Sequence, residues 1–249
     1  MSFYIGDSFS PKTISPTNIV LWLKSDAGVN GGAAVNGDAV YEWADQSGNS
    51  HHFTQTTGAL QPIYNDSVIG GEAGITFLSD TLVHIGLLFD ALAATDFTIY
   101  VVMKLNEITD TGTENQRKTL MKFGTSGWTT TPSGSWNVGL EGAISTNGAG
   151  YQRNLSYTYG NYNQILLGPP DLNSHYISIL SHGENYLDGV QKNAGPGATL
   201  LITGDIQYLG GWNNSFGQFS LSEIIVYNIK HTDAQRLQVE SYLKDRFTL

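Results

Sequence analysis

Hydrophobic positions recur along this chain with the period of β-strands. Between Phe97 and Leu105, Phe97, Ile99, Val101, Met103 and Leu105 alternate with Thr98, Tyr100, Val102 and Lys104, which predicts a central strand. Ile19, Leu21 and Leu23 alternate in the same way with Val20, Trp22 and Lys24, a first sheet strand with one deeply buried face. A glycine-rich loop over 25–38 follows, and VYEWADQSGN (40–49) brings Trp43 into the core. In FSLSEIIVYN (219–228) the run Ile224, Ile225, Val226, Tyr227 puts apolar groups on both faces, so this strand belongs inside a sheet, with Glu223 enclosed among them.

Punctuation between these runs supplies the connections. AGITF (73–77), TLMKFG (119–124), TLLIT (199–203) and IQYLGG (206–211) add strand material, and YISILSH (176–182) with ENYLD (184–188) and VQK (190–192) forms an antiparallel unit. Asp188-Gly189 fits a two-residue type I′ hairpin turn. Helical signals are few: LLFDALAATD (87–96) could make one or two turns, and TDAQRLQVESYLKDRF (232–247) reads as a terminal helix. Thr232 with Gln235 matches a capping box, and Val239, Leu243 and Phe247 share one face, so that helix is expected to lie on the body. Many short alternating strands separated by turn residues predict an all-β fold, a two-sheet antiparallel jelly-roll sandwich with a C-terminal helix and one short helix.

Composition agrees with that class. The 249 residues include 29 glycines and are 40% hydrophobic but only 14% charged, as suits strands with one solvated face and turn-rich connections. A single sandwich domain over 17–249 accommodates this length. The net charge of −10, with 12 scattered Lys and Arg, opposes nucleic-acid backbones, so no nucleic-acid partner is expected. With no cysteine, disulfides and thiolate metal sites are excluded. No stretch approaches the length of a membrane span and the first residues lack a secretory pattern, so membrane insertion and export are not expected. Residues 1–16 mix Phe3, Tyr4, Ile5 and Phe9 with glycine, serine and two prolines, which excludes regular structure and leaves apolar surface to dock. This segment reads as an N-terminal arm, either docking on another chain or packing on its own domain.

The middle of the chain differs in character. Residues 125–173 are rich in Gly, Ser, Thr, Asn and aromatic residues, with Glu141, Arg153 and Asp171 nearly the only charges. Rigid rings with small polar neighbours resemble a recognition surface. Trp128, Trp136, Tyr151, Tyr157, Tyr159 and Tyr162, with Trp212 further on, are therefore the candidate ligand-binding residues; the alternative is that each ring simply turns inward.

The opening VLWLKSDAGV (20–29) with V-x-x-WADQSGN (40–49), and the closing YLDGV (186–190), LGG (209–211), FSLSEIIVYN and DAQR-x-x-VESYL-x-x-RF, are similar to the concanavalin A-like, laminin-G-like jelly-roll family. That family occurs in lectins, glucanases and surface or phage-encoded modules. The resemblance spans the two ends of residues 17–249 and implies two packed sheets whose concave face or rim loops bind glycans.

Catalytic chemistry finds little footing. Glucanases of the superfamily carry E-x-D-x-x-E on one strand, and this sequence has no such triplet; Glu42 with Asp45 and Glu184 with Asp188 do not reproduce it. Glu223 is then a structural acceptor rather than a general acid. There is no G-x-S-x-G, H-E-x-x-H, G-x-G-x-x-G after a strand, or P-loop. The six histidines show no ligand spacing, and adjacent His51 and His52 would face opposite ways on a strand. Asp26, Asp45 and Asn49 could offer oxygen ligands to calcium, as in some related jelly rolls, without a D-x-[DN]-x-[DN]-G loop to support it. No other cofactor is expected.

The sequence is thus read as a non-enzymatic virion protein, a phage capsid decoration or tail-associated adhesin assembled in a host cytoplasm. It would bind other virion proteins or itself through residues 1–16, and a cell-surface glycan. The alternative is a free carbohydrate-binding module or lectin; a glycoside hydrolase comes third.

Overall fold

The computed structural model describes residues 9–86, 88, 96–107, 117–123, 138–146, 151–154, 157–158, 166–167, 175–181, 184–194, 206–210 and 218–249. These form two antiparallel sheets packed as a sandwich, with a terminal helix lying outside one of them. In the eight-stranded sheet the strand Gln218–Tyr227 pairs with Thr98–Glu107, Glu72–Phe77 and Ile19–Lys24. The hairpin unit His175–Ser181, Glu184–Leu187 and Val190–Ala194 extends this sheet at one end and Ile63–Ile69 at the other. The nine-stranded sheet is built on Thr81–Ile85, Ile206–Gly210, Arg117–Phe123 and Val138–Thr146, with Phe53–Thr54 and Glu42–Trp43 at one side and Tyr151–Asn154 and Leu166–Leu167 at the other.

Alternation decides which side chains meet. Phe97, Ile99, Val101, Met103 and Leu105 join Leu21, Leu23, Trp43, Phe53, Phe77, Leu82, Leu209, Phe219, Ile224 and Val226 between the sheets. Tyr100, Val102, Ile225 and Tyr227 point the other way, into a second core under the terminal helix. Gln218–Tyr227 is thereby covered on both faces, as its continuous apolar run requires. The helix Asp233–Phe247 closes the second core with Val239, Leu243 and Phe247, all fully buried. Each contributes roughly 2 kcal/mol of burial free energy. No helix among the described residues is long and apolar enough to cross a membrane.

Proline does not exclude regular structure near the N-terminus: Pro11–Ile14 forms one helical turn, because Pro11 stands at its first position, where no N–H is needed, and Ser10 caps it. This short helix packs on the second core through Ile14, and the Tyr227 hydroxyl donates to the Pro11 carbonyl at 2.8 Å. The helical turns expected over 87–96 fall almost wholly outside the described residues.

Candidate functional site

The outer face of the nine-stranded sheet is the surface that strand register builds most clearly. Gln207 and Leu209 are buried toward the inter-sheet core, so Tyr208 between them turns outward and is half-buried. Directly paired residues share a face. Tyr208 stands opposite Val83, Val83 opposite Thr54, and Thr54 opposite Glu42. On its other side Tyr208 pairs with Lys122, Lys122 with Gly139, and Gly139 with Tyr157. Positions 42, 54, 83, 208, 122, 139 and 157 therefore form one row across the sheet. Positions 208 and 157 lie three strand spacings apart, about 14 Å.

Of the aromatic residues singled out from the sequence, Tyr157 is in this row. Tyr151 belongs to the strand Tyr151–Asn154, opposite Thr146. Trp128, Trp136, Tyr159, Tyr162 and Trp212 lie outside the described residues. Sequence reasoning took IQYLGG only as strand material and missed Tyr208, although its place between Gln207 and Leu209 in an alternating strand was the available signal.

Glu223, Glu184 and Asp188 each make structural contacts away from this face. Glu223 is fully buried beneath the terminal helix, where it accepts from Trp22 Nε1 at 2.7 Å and Tyr242 Oη at 2.9 Å, with Arg246 Nε 3.0 Å from its other oxygen. Burial pushes its carboxyl up to about 7 against the opposing pull of Arg246, Trp22 and Tyr242. Its side chain accepts hydrogen bonds in the packed interior, as expected of a structural acceptor. Glu184 takes Lys230 at 3.0 Å and the Tyr186 hydroxyl at 3.1 Å, and these contacts hold its carboxyl below the usual range. Asp188 Oδ1 accepts the Ile177 N–H at 2.8 Å and so braces the hairpin.

The three residues considered for calcium also hold structure. Asp45 Oδ1 accepts from the N–H groups of Trp22 and Ser47, and Oδ2 from the Ser47 hydroxyl and the His51 N–H. Asn49 donates to the Ile19 carbonyl at 2.8 Å, and Asp26 is paired with Arg246 at 2.8 Å. Among the described residues no group of three or more His, Asp or Glu side chains converges on a point.

Neither a protein-family model nor a curated protein sequence matches the chain. Solved structures do. The sialidase of Trypanosoma rangeli superposes with a TM-score of 0.56 over 92% of this chain at 17% identity, but this chain spans only 33% of it. The binding domain of Paraclostridial Mosquitocidal Protein 1 matches with a TM-score of 0.59, covering 94% of this chain and 53% of that one at 14% identity. Domain 4 of AbnA, an extracellular arabinanase of Geobacillus stearothermophilus solved with arabinotriose, matches with a TM-score of 0.55, covering 88% of this chain and 96% of that domain, again at 14% identity. The likeness is one of fold. It agrees with the concanavalin A-like sandwich that the sequence resembles.

Proposed function

We propose that this chain is a non-catalytic carbohydrate-binding module that receives its ligand on the outer face of the nine-stranded sheet. The observation that carries the reading is the match to an arabinotriose-binding domain almost entirely contained within it, so that a sandwich of this size serves there as a sugar-binding unit. Tyr208 and position 157 stand on one row of that face, three strand spacings apart, which leaves room between them for a short oligosaccharide. The absence of a glycosidase carboxylate triplet and the structural engagement of Glu223 favour binding over hydrolysis. The virion role read from the sequence draws less support, since residues 9–16 spend their contacts on the domain itself.

A glycan array containing arabinan fragments and sialosides, followed by calorimetry on the ligands retained, tests the proposal. Binding is expected, with Tyr208→Ala and Tyr157→Ala each weakening it about tenfold or more while circular dichroism stays unchanged. A blank array, or binding indifferent to both substitutions, overturns it.

A further inference from the structure

Two histidines far apart in sequence meet at one end of the sandwich. His51 precedes the strand Phe53–Thr54, and His84 lies in Thr81–Ile85, where its ring packs on Phe53 with centroids 5.7 Å apart. His51 Nδ1 and His84 Nε2 are 3.2 Å apart, with the rings edge to face. The ring that meets His51 is that of His84 and not that of the adjacent His52.

The surrounding hydrogen bonds fix which nitrogens are available. His84 Nδ1 faces the His52 carbonyl at 2.9 Å and must donate to it, which leaves Nε2 as a lone pair aimed at His51. A ring N–H held by a backbone carbonyl is the usual orienting contact of a metal-ligating histidine. His52 is itself held, its Nδ1 accepting the Asp45 N–H at 3.0 Å. His51 is placed by its backbone N–H, which donates to Asp45 Oδ2. Two imidazole nitrogens each about 2.1 Å from one ion stand about 3.0 to 3.4 Å apart at cis-octahedral or tetrahedral angles. The observed separation falls in that interval.

Gly86 lies close against the pair. A Cβ there would come within 2.9 Å of His84 Nε2, so any side chain at 86 would fill the approach to the nitrogen. Asp45, whose Oδ2 accepts the His51 N–H, places a carboxylate beside the pair, which favours positive charge there.

We infer that His51 Nδ1 and His84 Nε2 form a two-imidazole site for a late divalent transition-metal ion such as Zn²⁺ or Ni²⁺, completed by water. Imidazole suits these ions and is a poor ligand for calcium or magnesium. On binding, the neutral His51 ring moves its proton from Nδ1 to Nε2 through solvent, which frees the Nδ1 lone pair; the ion gives up two of its waters and no net proton is released. With two protein ligands and water completing the shell, the ion exchanges readily. The site is independent of the outer face of the nine-stranded sheet, because His84 and its paired Gln207 point to the inner side.

Calorimetric titration of the whole chain with Zn²⁺ and with Ni²⁺, paired with histidine ring proton resonances, tests it. One equivalent is expected to bind and to shift the resonances of two rings. Affinity falls by roughly tenfold or more in His51→Ala and in His84→Gln. His175→Ala serves as a control and leaves affinity unchanged. His51 is only half-buried, so its variant is expected to retain the fold even if the His84 variant does not. A silent titration, or binding that survives His51→Ala, overturns the inference and leaves the two rings as a hydrogen-bonded pair only.

Discussion

At Glu223, burial and pairing pull in opposite directions. A carboxylate taken wholly out of water costs several kcal/mol, and Trp22, Tyr242 and Arg246 converge to offset that cost. Desolvation prevails, and the carboxyl titrates at about 7 rather than the ordinary 4.5. The folded chain therefore holds a proton that the unfolded chain has lost between those values, so this group contributes stability that fades as pH rises from 4.5 to 7. The loss amounts to roughly 3 kcal/mol. His231 acts in the reverse sense: burial lowers it to about 4, so its neutral form gains stability as pH rises toward 6.5. Comparing the native chain with Glu223→Gln isolates the first effect. Denaturant midpoints measured from pH 4.5 to 8 are expected to fall more steeply with pH in the native chain than in the variant, and parallel profiles would refute the assignment. The structural role of Glu223 was legible from its apolar neighbours and missing partner carboxylate. Its contacts were not, because Trp22 lies 201 residues away along the chain and no local pattern encodes such a meeting.

Elements whose determinants are local could be read in full. In the terminal helix the Thr232 hydroxyl accepts from the Gln235 N–H while the Gln235 side chain takes the Thr232 N–H, the reciprocal box that the spacing predicts. Thr232→Ala is expected to cost about 1 kcal/mol, read as a lowered midpoint in thermal or denaturant unfolding. Unchanged stability would mean that packing of Val239, Leu243 and Phe247 fixes the helix without its cap. The hairpin turn was equally accessible: Asp188 and Gly189 take φ of 50° and 79°, both positive as a type I′ turn requires, and Leu187 pairs with Val190 across it. The N-terminal turn at Pro11–Ile14 was missed because proline was weighed as a breaker without regard to its position in the helix.

Across the whole molecule, the central strand of the eight-stranded sheet is covered on both faces and the nine-stranded sheet carries the candidate site on its outer face. That division was legible in outline, since alternation shows which strands have two apolar faces. The row through Tyr208 was not, because it joins positions from 42 to 208 in an order set by pairing rather than by sequence. The division also predicts that residues 9–16 and the proposed binding face are separable. Phe9 packs on Tyr242 with ring centroids 5.5 Å apart, the Tyr227 hydroxyl is satisfied by the Pro11 carbonyl, and Ile14 covers the second core. Deleting residues 1–16 leaves the buried Tyr227 hydroxyl without that acceptor and uncovers apolar surface beside the terminal helix, a loss on the order of 2 to 4 kcal/mol. All of these contacts lie on the helix side of the eight-stranded sheet, with the whole inter-sheet core between them and Tyr208. The truncated chain is therefore expected to unfold at lower denaturant yet, below its transition, to match the full chain in affinity for any glycan that the proposed site takes. A midpoint unchanged by the deletion would deny these residues their structural part, and glycan affinity lost at full folding would place the arm in the binding surface instead.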